Sequence, residues 1–305
     1  MDKESGLKLL FLHVPKAAGT SLDSVISQSS VRSVHHVETV EAIENALAKN
    51  YQYIGGHFTV DMLEGFVLPK GANLVTLLRN PLDRYISDLN YHIEILRRGG
   101  EFYGSHGPKA RKVIRATFDY LVDSSSDFAI QGVARYFGEF FDGYYFRRLI
   151  PAYARKYLAS DLVGPRDAVK IVKDCLCRRF AYLGVLEVHG VEPLARFSFE
   201  SLSLASKELS GLASFRNASR NFLDPSLLVD HLVPRLSSRE NILSGLVYQV
   251  AAGELDDMSL LVDWDAAADS VSSCISKSSA YLDMDQVDSL AGEEVECIRQ
   301  FIGKD

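Results

Sequence analysis

Short apolar runs alternate along the chain with segments whose apolar residues recur at helical spacing. Leu9, Leu10, Phe11 and Leu12 form an unbroken run closed by Pro15, the signature of a buried strand. A small-residue turn, Lys16-Ala17-Ala18-Gly19, follows. Thr20 and Ser21 then open a helix carrying Leu22, Val25 and Ile26 on one face. Residues 31–37 predict a second strand and 40–47 a short helix, while 51–56 predict a third strand leading into Gly55-Gly56-His57-Phe58. The run NLVTLL at 73–78 is the cleanest buried strand and enters Arg79-Asn80-Pro81 directly. Pro81 suits the first turn of a helix, which the pattern carries to about Arg98.

The segment 99–159 reads as mostly helical, its many aromatics packing an apolar face onto the sheet. Residues 165–180 predict an amphipathic helix, 182–186 (YLGVL) a further buried strand ended by Glu187, 193–209 another helix and 239–252 one more. The last 50 residues are acidic, rich in Ser and Ala, and hold the only tryptophan, Trp264; they read as peripheral helices or a partner-binding tail. Strands alternating with helices predict an α/β protein built on a parallel sheet.

A length of 305 residues allows one large domain or two ordinary ones, and 47% hydrophobic content supports a sizeable core. A net charge of -7 argues against wholesale nucleic-acid binding, though it permits a local basic pocket for an anion. Of the four cysteines, Cys175 and Cys177 fall in a helical segment, and no second pair stands at metal-ligand spacing. Free thiols in a reducing compartment and no metal site are therefore expected. The N-terminus has no apolar signal region and no window approaches 18 apolar residues. The expectation is a cytoplasmic protein without a membrane span.

Strand, small-residue loop, helix is how a chain aims free backbone N–H groups and a helix N-terminus at a phosphate. Lys16 adds a point charge, and Thr20 and Ser21 add hydroxyl donors. The loop is not a Walker A motif, which places Lys directly before Ser/Thr; here Lys16 precedes Thr20 by four residues. Arg79, at the end of a buried strand, and Ser87, on the following helix, put a guanidinium and a hydroxyl on the same open edge of the sheet, where α/β proteins bind ligands. The bland readings are a capped turn for the first motif and a surface ion pair of Arg79 with Asp83 for the second.

HVPKAAGTS resembles the 5'-phosphosulfate loop, and RNPLDRYISDLNY the 3'-phosphate motif, of the sulfotransferases that use 3'-phosphoadenosine-5'-phosphosulfate (PAPS). The order of the two motifs, their spacing, the intervening GGHF and the later FAYLGVLE resemble the family 2 branch, typified by heparan sulfate 2-O-sulfotransferases. The similarity spans roughly residues 7 to 252, strong in the two motifs and weak between them. It implies a P-loop-like three-layer fold, with helical additions in the middle and at the C-terminus. A sulfotransferase domain would cover 1–252, with 253–305 a helical extension packed on or flanking it.

The resemblance further implies that Lys16 faces the bridging and sulfuryl oxygens, that Gly19, Thr20 and Ser21 hold the 5'-phosphate, and that Ala17 and Ala18 belong to the same cofactor-binding loop. Arg79 and Ser87 would hold the 3'-phosphate, Arg220 would close over the nucleotide, and His57 would be the general base. The desulfated product would be PAP, and the acceptor a hydroxyl, with a carbohydrate among the candidates. A near-neutral base and a cation at the leaving oxygen are what the transfer needs, without a metal or a covalent intermediate. Asn80 stands where the family commonly has Asp, and its side chain is expected to hold the turn. His35, His36, His92 or a carboxylate stay open as alternative bases. The chain lacks the N-terminal anchor of the family's Golgi members, which points to a bacterial-type soluble enzyme or an excised domain. Arg97-Arg98, KARKVIR at 109–115 and Arg147-Arg148 are the only basic clusters available for an anionic acceptor, and solvated helix faces are the favoured account of them. A nucleotide-dependent kinase on the same fold and a non-catalytic nucleotide-binding module are the rival readings.

Overall fold

Five strands form one parallel sheet: β1 (Leu9–Leu12), β2 (Ser33–Val37), β3 (Tyr53–Gly56), β4 (Asn73–Leu78) and β5 (Tyr182–Val185), in the order β2-β3-β1-β4-β5. The computed structural model describes residues 6–97, 108–123, 142–205, 222, 238–255, 257–279 and 291–302. β1 is central and pairs with β3 on one side (Leu12 opposite Gly56) and β4 on the other (Leu12 opposite Thr76). Parallel neighbours need crossover helices, so the sheet is covered on both faces, and its central strand β1 is apolar on both sides.

The alternation within β1 decides which residue faces which layer. Leu9 and Phe11 pack, with Tyr53, Val75 and Leu77, against Leu22, Val25 and Ile26 of α1 (Gly19–Ser27) and Leu194, Ala195 and Phe199 of α10 (Glu192–Leu202). Leu10 and Leu12 face the opposite layer. That layer draws on α2 (Val40–Ala48), the short α3 (Val60–Leu63), α4 (Pro81–Arg97), α6 (Tyr144–Leu149), α7 (Ala152–Leu158), α8 (Pro165–Arg179), α11 (Arg239–Ala252) and α12 (Trp264–Lys277). The fold is thus a three-layer α/β sandwich of helices, parallel sheet and helices. A third apolar cluster joins α4 to α5 (Pro108–Val122) and α13 (Gly292–Ile302) through Ile93, Leu96, Ile114, Phe118 and Ile298.

The strand and helix expectations of the first 97 residues match the observed elements to within about two residues, the usual uncertainty of element ends. Two later ones differ. The helix expected over 193–209 stops at Leu202, because Ser203 adopts the left-handed conformation (φ 60°) and Leu204 N–H turns back to the Phe199 carbonyl. Glu187, expected to end a strand, lies in α9 (Leu186–His189), a single turn that caps β5. Of the aromatic middle segment, Phe118, Tyr145 and Phe146 are buried core. Those at 102–103, 128 and 136–141, and Arg220 with the polar segment 214–221, lie outside the described residues.

Helix α12 belongs to the same apolar cluster as the sheet, through Ala267, Val271, Cys274 and Ile275. It is also tied to the start of α4. Asn80 Nδ2 donates to the Ile275 carbonyl (2.7 Å) and to Ser278 Oγ (2.9 Å), and Ser279 Oγ donates to Asp83. No helix among the described residues is long and apolar enough to cross a membrane.

Candidate nucleotide and catalytic site

After β1 and β4 the chain departs to opposite faces of the sheet. α1 packs on the Leu9/Phe11 face, and α4 on the Leu10/Leu12 face through Leu82, Tyr85, Ile86 and Leu89. The carboxyl ends of these two neighbouring strands therefore open a crevice at a topological switch point, the position where open α/β sheets bind ligands. Both sequence motifs lie there.

The loop between β1 and α1 is held in an unusual backbone shape. Lys16 (φ 65°) and Ala18 (φ 58°) are left-handed, and Ala18 occupies the N-cap of α1 without a side-chain cap. The first-turn N–H groups of α1 thus lack the Ser/Asp oxygen that would ordinarily satisfy them. An uncapped helix N-terminus suits an anion. Thr20 is exposed at this turn and Ser21 is buried beneath it. Gly19 is required by close approach, since a Cβ there would lie 2.2 Å from His13 Cδ2.

Lys16 and Arg79 meet across the crevice. Arg79 Nη1 donates to the Lys16 carbonyl (3.0 Å), so the two motifs are physically joined. The backbone of Arg79 is clamped by the buried Tyr145 of α6, whose Oη accepts from Arg79 N–H (3.3 Å) and whose O–H donates to the Arg79 carbonyl. The Glu187 carboxylate lies 3.7 Å from Arg79 Nε. Asn80 behaves as its position suggests: Oδ1 accepts from the N–H groups of Leu82 (2.9 Å) and Asp83 (3.3 Å), capping α4. Ser87, two turns on, is buried on the same helix.

The Lys16 ammonium sits 3.0 Å above the centre of the half-exposed Tyr91 ring, a cation–π contact. Burial, opposed by Asp88 and assisted by Arg79, lowers the Lys16 ammonium to a pKa of about 8. Two further arginines converge here, Arg84 from within the second motif and Arg148 from outside both. Arg84 of α4 and Arg148 of α6 flank the Tyr144 ring at 3.8 and 4.7 Å, and Arg148 Nη1 donates to the His57 carbonyl (2.9 Å).

His57 follows β3 and is anchored to the end of β1. His13 N–H donates to the Gly56 carbonyl (2.8 Å), and the His13 carbonyl faces His57 Nδ1 at 2.9 Å. A carbonyl only accepts, so Nδ1 carries the hydrogen and Nε2 keeps its lone pair. Burial first, then the neighbouring His13 and Arg148, lower the His57 pKa below its usual 6.5, which keeps the ring neutral near pH 7. The other histidines differ. Both ring nitrogens of His35 are engaged, Nδ1 by Asp23 (2.9 Å) and Nε2 by Ser33 Oγ (3.0 Å). His36 is exposed with its ring 6.4 Å from that of His57, and His92 lies along α4 beside Tyr91.

Beneath the loop lies a polar cluster. Asp23 Oδ1 accepts from Tyr53 O–H (2.5 Å) and His35 Nδ1 (2.9 Å), while Oδ2 stands 3.4 Å from His13 Nδ1. Hydrogen bonds from His35 and Tyr53 and the close His13 ring outweigh burial and hold the Asp23 carboxyl well below the usual carboxylate range. The His13 ring in turn stacks on Phe11 and lies 4.7 Å from the His57 ring. Gly55 leaves room for this cluster: a Cβ there would sit 2.6 Å from Asp23 Oδ1.

Of the expected site residues, Lys16 to Ser21, Arg79 and His57 follow the carboxyl ends of β1, β4 and β3, and Ser87 lies two turns into α4. Asp23, His13, Tyr91, Arg84 and Arg148 join them without having been singled out for the site. Arg148 was visible only as half of a basic pair. Of the other basic residues, Arg97 is consumed by Glu94 (2.7 Å) and Glu294 (3.3 Å), and Arg147 is exposed. No protein-family model matches this chain, and no curated protein matches it.

Proposed function

We propose that the chain is a PAPS-dependent sulfotransferase that moves a sulfuryl group to a hydroxyl of an acceptor, a carbohydrate being one candidate. One observation carries the reading. The two motifs that resemble phosphate sites meet at adjacent strand ends, joined by the Arg79-to-Lys16 hydrogen bond, with a neutral imidazole just past the end of the next strand. When bound, PAPS would supply the activated sulfuryl group. The uncapped first turn of α1, with Thr20 and Ser21, would hold its 5'-phosphate, and Arg79 with Ser87 its 3'-phosphate. Lys16, mostly charged at pH 7, offsets negative charge growing on the leaving oxygen. His57 Nε2 takes the acceptor's hydroxyl proton, and Nδ1, held on the His13 carbonyl, fixes the ring's orientation. The free thiols of Cys175, Cys177 and Cys274 agree with a cytoplasmic setting.

The test is calorimetric titration with PAP, AMP and ATP against wild type and Arg79→Ala. The expected result is a strong preference for PAP that the variant loses, by about 100-fold or more for a charge-assisted bidentate contact. Sulfate transfer from labelled PAPS would then separate an enzyme from a binding module. Preference for ATP, with turnover, would replace the proposal by a kinase, and equal or absent binding of all three would overturn it.

A further inference from the structure

Glu187 stands where a phosphate-binding arginine would not ordinarily have a neighbouring anion. It lies in the turn that follows β5, beside the end of β4, and its carboxylate is largely enclosed. One oxygen, Oε2, accepts the Asn80 N–H at 2.9 Å, which fixes the group against the start of α4. The other, Oε1, is buried without a hydrogen-bond partner among the described residues and lies 3.7 Å from Arg79 Nε. Among the described residues, the groups facing it are Arg79 from the β4–α4 junction, Asp83 from α4, Tyr145 from α6 and Tyr248 from α11, with His189 on its own turn. Only Arg79 among them is a cation acting on it. Asp83 opposes its charge, and burial pushes both tyrosine hydroxyls far above their usual range, so they stay neutral. A phosphate arriving at Arg79 would share that guanidinium with an existing buried carboxylate, and two anions in so enclosed a place cannot both keep their full charge.

We propose that Glu187 is the proton acceptor that couples 3'-phosphate binding to uptake of one proton, so that the nucleotide-bound protein holds Glu187 as the neutral acid. This rests on the assignment of Arg79 to a 3'-phosphate. The step is a simple protonation: solvent supplies the proton, Oε1 accepts it and no other bond changes. In the neutral acid the hydroxyl becomes a donor at the oxygen that now has no partner, while Oε2 keeps the Asn80 N–H. The group is already poised for this, because burial raises its pKa to about 7 in the absence of ligand, against the backbone N–H groups of Asn80 and of Glu187 itself and the charge of Arg79, which act to lower it. Nucleotide affinity would then weaken as pH rises above 7, and the dependence would belong to the 3'-phosphate alone. AMP, which keeps the 5'-phosphate and lacks the 3'-phosphate, provides the control for Lys16 and for the first turn of α1.

The experiment is titration calorimetry of PAP and of AMP at pH 8 in two buffers of different ionisation enthalpy, with wild type and Glu187→Gln. At this pH the 3'-phosphate is already fully ionised, so any proton taken up enters the protein. The expectation is that PAP takes up about one proton more than AMP, and that PAP affinity falls up to about tenfold per pH unit between pH 7.5 and 8.5 while AMP affinity lacks this added slope. Glu187→Gln keeps an acceptor for Asn80 N–H but cannot ionise. It should erase the extra proton and the extra slope and bind PAP at least as tightly as wild type at pH 8. PAP bound in preference to AMP without the extra proton in the wild type, or with it intact in the variant, overturns the role of Glu187 and leaves the sulfotransferase proposal standing. Failure of wild type to prefer PAP at all overturns the assignment of Arg79 first. The wild-type comparison of the two nucleotides decides the matter even if the variant does not fold.

Discussion

Replacing Asp23 by Asn tests whether the buried cluster under the loop stabilises this fold as its geometry indicates. The carboxylate is 6% exposed and takes two hydrogen bonds through Oδ1, from Tyr53 O–H at 2.5 Å and His35 Nδ1 at 2.9 Å, with His13 Nδ1 3.4 Å from Oδ2. Asn keeps the shape and one acceptor oxygen but removes the charge and turns an N–H donor toward a ring nitrogen. Hydrogen bonds to a charged group contribute about 1.5–3 kcal/mol each, and breaking a buried ionic network costs about 3–5 kcal/mol. Because Tyr53 keeps a neutral acceptor, a loss near the lower end, about 3 kcal/mol, is expected. With an unfolding entropy of about 2.1 cal/mol/K per residue, that corresponds to a Tm drop of about 5 °C for a chain of this size. Tyr53→Phe, which removes a single donor, should cost less, about 1–2 kcal/mol.

The pH dependence adds a second check. The folded-state pKa of Asp23 is depressed below its ordinary 3.8, so the stability it contributes is complete above that value and is lost as pH falls below it toward the folded value. Denaturant titrations at pH 7 and pH 3 should therefore show the gap between wild type and Asp23→Asn narrowing at the lower pH. A variant within about 0.5 kcal/mol of wild type at pH 7, the range of ordinary surface substitutions, would refute the reasoning.

Two further predictions concern the catalytic groups and the sheet. If His57 is the base and Lys16 the cation, kcat/KM for sulfate transfer should follow a bell in pH. Its acid limb lies below 6.5, from His57, and its alkaline limb near 8, from Lys16. His57→Ala should remove the acid limb and Lys16→Arg the alkaline one, measured in the Glu187→Gln background to take out its separate contribution near 7; a profile unchanged by both would dismiss these roles. Gly56→Ala places a Cβ 2.0 Å from the Val37 carbonyl oxygen, where backbone must move, so a loss of about 3 kcal/mol or more and weakened β2–β3 pairing in hydrogen exchange are expected.

The first strand, its loop and its helix were readable because their determinants are local. Four consecutive apolar residues, a small-residue turn and apolar positions at helical spacing act within about 20 residues of one another. The same holds for β4, Arg79 and the helix opened by Pro81, with Asn80 capping it as its position suggested. The parallel sheet followed from the alternation of elements. Tertiary structure alone decided the rest. Asp23 meets Tyr53 across 30 residues, Arg148 reaches the His57 carbonyl across 91, and Glu187 reaches Asn80 across 107. Such encounters depend on the strand order β2-β3-β1-β4-β5 and on which face each crossover helix covers, and hydrophobic periodicity records neither. The same distinction governs the chemistry. The sequence determined that a lysine, an arginine and a histidine stand near strand ends, while burial and unlike neighbours decided that Lys16 and His57 are lowered and Glu187 is raised, because desolvation and charge proximity exist only once the chain has folded.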